Sequence, residues 1–154
     1  IIAIDLLPAK LESARHFGAT DTILPGDESV VREIKKLSKG GVDFAFDAVG
    51  LPDLTANCLY SLAPRGKAVV VGAIPAGMKL ELEPGHFYVE KTLTGSIMGS
   101  NRFHIDGPQY LELYRQGRLD LDSMISARRP LGELSAALDD LEAATVTRTA
   151  IVFD

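Results

Sequence analysis

The chain has 154 residues, 46% of them hydrophobic, enough for one sizeable core or for one domain plus part of another. Its 16 basic and 21 acidic residues leave a formal charge of -5, which repels polyanions on average and excludes nucleic acid as the expected partner. No apolar run approaches the roughly 20 residues that cross a bilayer, and the single cysteine, Cys58, excludes an internal disulfide, so no membrane partner is expected and a reducing, cytoplasmic setting is.

The stretch "IIAID" reads as a strand that runs from Ile1 into Asp5. Pro8 suits the first turn of a following helix, whose Leu7, Leu11, Ala14 and Phe17 share one face before Gly18 stops it. "TDTIL" is a second strand. "GDESVVREIKKLSKGG" predicts a helix, with acids at its start, Val30, Ile34 and Leu37 on one face, Lys35, Lys36 and Lys39 towards its end and a glycine pair as stop. "VDFAFDAVG" is a third strand, "LPDLTANCLYSLAP" a third helix with Leu54, Cys58 and Leu62 spaced by four, and "GKAVVVGAI" a fourth strand. Strands that alternate with single helices predict an α/β fold with right-handed crossovers and a parallel, doubly wound sheet.

The alternation breaks after Ile74. "PAGMKLELEPGHF" is rich in turn residues, and "KTLTGSIMGS" reads as a further strand. "DGPQYLELYRQG" predicts a helix with Asp106 as cap, Pro108 in the first turn and Gln109 placed to reach back. "GELSAALDDLEAA" predicts an amphipathic helix through Leu134, Leu138 and Leu141, and "TRTAIVF" a closing strand. The expected division is residues 1–98 and 99–154, at the "MGS" after the fifth strand.

In open parallel sheets ligands bind beyond the carboxyl ends of the strands, so Asp5, the run Asp47-Ala48-Val49-Gly50 and the run Val71-Gly72-Ala73 are expected on one rim. A carboxylate at such a tip accepts hydrogen bonds from the vicinal hydroxyls of an adenosine ribose and repels a 2′-phosphate, which points to NAD rather than NADP. Glycines past strand ends admit a flat ring close to the backbone. Each signal has a second explanation: Asp5 as a cap for the helix at Pro8, Gly50 and Gly72 as plain turn residues, Lys10 as a solvated helix residue. The glycine-rich turn that carries a pyrophosphate lies about 20 residues before the ribose-binding acid in a dinucleotide fold. None occurs here, so the first strand, its loop and its helix are expected ahead of Ile1.

Other chemistry is poorly supported. His16, His86 and His104 lack the spacing of a metal site and are expected on the surface or in loops. Cys58 is expected to be a buried, inert thiol on an apolar helix face, and Asp139, Asp140 and Glu142 a solvated helix face. No metal ligand and no catalytic residue is assigned to this chain.

Taken in order, "IIAIDLLPAKLESARHFGATDTI", "GGVDFAFDAVG", "VVVGAIP", "KTLTGSIMGS" and "GRLDLDSMISARRPLGELSAALDDLEAATVTRTAIVF" resemble the medium-chain dehydrogenase/reductases, and within them the zinc-dependent alcohol dehydrogenases. The resemblance covers the whole chain. It implies a Rossmann domain lacking its first strand and glycine-rich loop over residues 1–98, and a return into the catalytic domain over 99–154. It also implies that Asp5 holds the adenosine ribose with Lys10 beside it. Ala48 and Val49 would line the adenine and nicotinamide-ribose side, Val71, Gly72 and Ala73 would border the nicotinamide carboxamide, Ser96, Ile97 and Met98 would close the other side, and Arg148 would reach the pyrophosphate. The implied activity is hydride transfer between NAD and an alcohol or aldehyde, with zinc, held by residues upstream of this chain, polarising the oxygen. A homodimer or homotetramer is implied as well, and the isolated segment is expected to be inactive.

Three alternatives share some of these features. A zinc-free NAD(P)H quinone or enoyl reductase of the same superfamily prefers NADP and carries a basic or small residue where Asp5 stands. An S-adenosylmethionine methyltransferase also uses an acid at the second strand tip, but its antiparallel last strand does not suit the "GGVDFAFDAVG" and "VVVGAIP" pair. A non-catalytic nucleotide-binding or oligomerisation module is the third.

Overall fold

A computed structural model describes residues 1–153. The chain divides into two compact units, Ile1–Asn101 and Arg102–Asp154. Among the described residues no helix is long and apolar enough to cross a membrane.

The first unit is α/β throughout. It runs β1 (Ile2–Ile4), α1 (Pro8–His16), β2 (Asp21–Ile23), α2 (Val30–Leu37), β3 (Val42–Asp47), α3 (Pro52–Ser61), β4 (Leu62–Val70) and β5 (Thr92–Gly95). Both α1 and α3 begin at a proline, where a missing N–H leaves nothing unsatisfied. Short 3₁₀ segments at Pro84–Val89 and Met98–Ser100 flank β5.

All pairings are parallel, as the alternation of strands and helices predicts. β1 pairs with β2, and β3, β4 and β5 form a three-stranded sheet in that order. Among the described residues β1 pairs only with β2 and β3 only with β4, so each keeps one unpaired edge. Phe44 and Phe46, two apart on β3, are exposed. β4 starts at Leu62 rather than at Gly66, pairing first with Val42 and then, after a register shift, aligning Lys67 with Phe44. The intervening Pro64 cannot donate to a ladder and Arg65 has a φ of 66°, which together break the regular register.

The core lies where α3 crosses the sheet. Leu59, Leu62 and Ala68 are fully buried, with Val42, Ala45, Cys58, Tyr60, Leu82 and Leu93 packed around them. Burying each leucine contributes roughly 1.5–3 kcal/mol, the main force holding α3 over β3 and β4.

The second unit contains α4 (Phe103–Arg115), β6 (Ala127–Pro130), a 3₁₀ turn at Leu131–Glu133, α5 (Leu134–Glu142) and β7 (Thr149–Val152), with β6 and β7 parallel. Here α4 differs from expectation. It starts at Phe103, so Asp106 is not its cap; instead its Oδ2 accepts a hydrogen bond from the backbone N–H of Arg102, 2.6 Å away. That gives Asp106 the reach-back role assigned to Gln109, and Pro108 falls inside the helix rather than in its first turn. The acidic face of α5 is not simply solvated either. Asp140 receives Nη2 of Arg129 at 2.6 Å, while Nη1 of the same guanidinium meets Glu133 at 2.8 Å, tying β6 to α5.

Candidate functional site

Three adjacent parallel strands end on one rim. The carbonyl of Asp47, last in β3, accepts hydrogen bonds from the N–H groups of Val71 and Gly72, each at 2.8 Å, and the carbonyl of Val70, last in β4, accepts from Ser96 at 2.9 Å. The turns at residues 48–50, 71–73 and 96–98 therefore lie side by side. Their apolar side chains stand in solvent: Val49 is 64% exposed, Val71 48%, Ile97 86% and Met98 84%. Such a patch at the carboxyl ends of parallel strands suits a flat, partly apolar ligand.

Beneath the patch lies a buried carboxylate. Asp47 is 3% exposed. Its Oδ1 accepts from the N–H groups of Val49 and Gly50, both at 2.9 Å, and its Oδ2 accepts from the Thr55 hydroxyl at 2.5 Å. Burial pushes the Asp47 pKa upward, but the hydrogen bonds from Thr55, Gly50 and Val49 outweigh it and hold the group below its ordinary value, so it is ionised at neutral pH. In sequence Asp47 stands only as the first residue of the run expected on the rim, with no bonding role, and Thr55 is not marked at all. The available signal is an acid that directly follows the apolar run Phe44-Ala45-Phe46 at the end of its strand.

The glycines act between the turns. A Cβ on Gly72 would sit 2.3 Å from the Gly50 nitrogen, and one on Gly50, whose φ is 88°, would sit 2.6 Å from the Ala73 backbone. The backbone of one turn fills the space beside the other. These glycines allow turn-on-turn packing, the plainer of their two expected roles, and the exposed apolar surface of the rim is left to Val49, Val71 and the 96–98 turn. That last turn is tight: Met98, Gly99 and Ser100 all have positive φ, Ser96 Oγ lies 3.0 Å from Ser100 Oγ, and the Asn101 side-chain amide donates to the Met98 carbonyl. Positive φ at Met98 and Ser100 is a strained backbone state of the kind that concentrates at binding sites.

Eight of the expected site residues are thus gathered on one rim: Ala48, Val49, Val71, Gly72, Ala73, Ser96, Ile97 and Met98. The other three stand on other elements. Asp5 stands at the tip of β1, its N–H donating to the Ile23 carbonyl. Its Oδ1 accepts the Leu7 N–H at 2.9 Å, outside the first turn of α1, where Leu7 holds the N-cap position. One oxygen therefore shapes the strand-to-helix turn, and Oδ2 has no partner among the described residues. A half-buried carboxylate with one oxygen engaged and one unengaged fits a ribose hydroxyl. Lys10 lies in the first turns of α1 and is half-buried. Arg148 belongs to the second unit, is exposed, and is held by its backbone: its carbonyl accepts from Ser126 and Ala127, and its N–H donates to Ser126 Oγ.

Among the described residues no three His, Cys, Asp or Glu side chains come together in a way that could hold a metal ion. His86 departs from its expected place as a surface or loop residue. It is half-buried, stacks on Tyr60 with ring centroids 4.3 Å apart, and faces the buried Lys91. Cys58 is partly buried, and burial, helped by the charge of Asp47, pushes its thiol up to about 11, as an inert thiol requires.

The chain is similar to known proteins in sequence and fold. Residues 1–115 match the family described as zinc-binding dehydrogenase. Among curated relatives, geraniol dehydrogenase of Carpoglyphus lactis is 31% identical over 99% of this chain and 41% of its own length. Alcohol dehydrogenase 3 of Hordeum vulgare is 34% identical over 90% of this chain and 38% of its own length. The crystal structure of benzyl alcohol dehydrogenase from Acinetobacter calcoaceticus superposes with a TM-score of 0.92 at 28% identity, covering 99% of this chain and 42% of that one. The chain spans about two fifths of the length of these relatives. With its parallel α/β unit and its match over most of its length, this chain belongs to the zinc-binding dehydrogenase family and corresponds to the C-terminal portion of the zinc-dependent alcohol dehydrogenases.

Proposed function

We propose that this chain is the coenzyme-binding part of an NAD-dependent alcohol dehydrogenase. The observation that carries the reading is the rim itself: exposed Val49, Val71, Ile97 and Met98 over three interlocked strand tips, in a unit whose β1 ends in the half-buried carboxylate of Asp5. When bound, the nicotinamide supplies a carbon that accepts or returns a hydride, and an alcohol or aldehyde of small size is the partner in that exchange.

The chain's own contribution is positioning. Asp5 accepts a ribose hydroxyl through Oδ2 and, as an anion, opposes a 2′-phosphate. The side chains of Val49 and Val71 offer an apolar floor to one face of a flat ring, and their turns expose backbone polar groups to its carboxamide. Ile97 and Met98 exclude water from the opposite side. Arg148, as an exposed guanidinium, offers a cation to the pyrophosphate, with Lys10 near the ribose. No ligand set for zinc occurs among the described residues, and no step is assigned to it. The reading extends to a cytoplasmic homodimer or homotetramer, in keeping with the family resemblance.

Coenzyme titration of the intact protein tests this directly. NADH should bind more tightly than NADPH, and Asp5→Ser should weaken NADH roughly tenfold, the worth of one hydrogen bond to a charged acceptor, while NADPH gains. An intact protein that prefers NADPH, or a selectivity indifferent to Asp5→Ser, would overturn the reading in favour of a quinone or enoyl reductase. Binding of neither coenzyme would leave a non-catalytic module.

A further inference from the structure

We propose that Asp47 is a positioning residue for the nicotinamide end of the coenzyme, an inference that rests on the coenzyme reading above and extends it. Asp47 joins two turns that carry ligand-facing residues. Its carboxylate fixes the 48–50 turn through the N–H groups of Val49 and Gly50, and its carbonyl fixes the 71–73 turn through the N–H groups of Val71 and Gly72. Four backbone donors from two turns thus converge on one residue. The Gly50 and Gly72 backbones are pressed together with no room for a Cβ, so a shift of the first turn displaces the second. Val49 and Val71, the floor of the rim, move with Asp47 or not at all.

The chemistry requires a forked acceptor at this place. A carboxylate offers two oxygens; one serves two backbone N–H groups and the other serves the Thr55 hydroxyl, which reaches down from α3. No ion pair reaches Asp47 among the described residues, so the anion is stabilised by its hydrogen-bond donors rather than by a counter-charge. Asparagine reproduces the fork: its oxygen accepts from Val49 and Gly50, and its amide donates to a Thr55 hydroxyl turned to accept. Alanine removes every side-chain bond and leaves two backbone N–H groups without acceptors in a tightly packed turn.

A purely structural role and a positioning role separate when the coenzyme is divided. AMP reports the adenosine half, which Asp5 serves on the β1–β2 pair, and NADH reports both halves. In the intact protein, Asp47→Ala is expected to weaken NADH by roughly tenfold or more and AMP clearly less, because the 48–50 turn also borders the adenine side whereas the 71–73 turn serves the nicotinamide alone. Asp47→Asn should restore NADH to within about threefold of the natural protein, because it keeps the acceptor for the two N–H groups. Thr55→Val, which removes one of the three side-chain bonds, should weaken NADH by about threefold and AMP clearly less. Wild-type NADH affinity in Asp47→Ala would overturn the proposal, as would equal loss of NADH and AMP, or failure of Asp47→Asn to rescue. If Asp47→Ala does not fold, Thr55→Val decides by the same comparison, and an unchanged NADH affinity in it counts against the proposal. Failure of the coenzyme reading itself is distinct, since the natural protein would then prefer NADPH, keep its selectivity in Asp5→Ser, or bind neither NADH nor AMP.

Discussion

Nζ of Lys91 lies 3.2 Å from Nδ1 of His86, and because an ammonium group can only donate, the ring nitrogen facing it carries no proton. The same Nζ donates to the Leu59 carbonyl at 3.3 Å, so a buried lysine is satisfied by one backbone oxygen and one neutral imidazole. Burial lowers the His86 pKa below its ordinary value of 6.5, with the charges of Lys91 and Lys35 acting in the same direction and Glu83 opposing them. Tyr60 stacks on the ring and its hydroxyl accepts from the Glu83 N–H, which completes the surroundings of the pair.

That arrangement makes stability depend on pH in a defined direction. A depressed histidine pKa means the unfolded chain binds more protons than the folded one between the two pKa values, so the stabilisation is intact above about 6.5 and is lost as pH falls through the lowered value. Melting of the intact protein should show Tm falling from pH 7.5 to pH 5, and His86→Gln, which keeps an acceptor for Lys91, should flatten that slope. His86→Ala should cost about 1–3 kcal/mol at pH 7.5, because Lys91 loses an acceptor it cannot replace. A pH profile in His86→Gln as steep as that of the natural protein would show that another group titrates.

Gly72→Ala and Gly50→Ala should be among the most damaging single-methyl additions in the chain. The added carbon meets backbone at 2.3 Å and 2.6 Å, and backbone has no side-chain freedom with which to yield. Each should destabilise by roughly 2–4 kcal/mol in chemical denaturation. Gly18→Ala is the control, since φ there is 100° but nothing lies within 4 Å of the new carbon; only the conformational cost of about 1 kcal/mol remains. Equal effects at Gly18 and Gly72 would remove the case for interlocked turns.

Cys58 should resist iodoacetamide in the native protein at pH 7.5, because a thiol whose pKa is pushed up to about 11 presents very little thiolate. It should react promptly once the chain is denatured. Part of the shift comes from the charge of Asp47, so Asp47→Asn should speed native labelling, measured as the rate of mass increase. A rate untouched by that substitution would mean that burial alone protects the thiol.

In the second unit, Arg129→Lys should lower Tm although it keeps the charge. A lysine ammonium cannot span Glu133 and Asp140 as the two guanidinium nitrogens do, at 2.8 Å and 2.6 Å. Double substitution of Arg129 and Asp140 to alanine should cost less than the sum of the two single changes. Strict additivity would mean that the pair is not coupled.

Much of the architecture was legible along the chain because it rests on short-range rules. Pro8 and Pro52 mark helix starts, the strand tip at Asp47 follows from a run of β-formers, and the alternation of strand and helix fixes parallel pairing by chirality, whereas the fifth strand ends at Gly95, short of the run to Ser100 that its sequence suggests. Where those rules failed, a contact several residues away had intervened. α4 begins before Asp106 because the carboxylate reaches back to Arg102 rather than capping forward, and Asp140 left the solvated face because Arg129 was brought to it across the parallel pair of strands.

The rim shows the same division. The order of residue types along the chain was enough to put Val49 and Val71 just past the ends of parallel strands, while Ile97, read inside a strand, reached the rim only through the family resemblance. What needed the folded chain was the joining of those tips. That Asp47 holds two turns at once, and that Gly50 and Gly72 exist to let the turns touch, depends on backbone groups 20 or more residues apart meeting within 3 Å, and sequence carries no local record of such meetings.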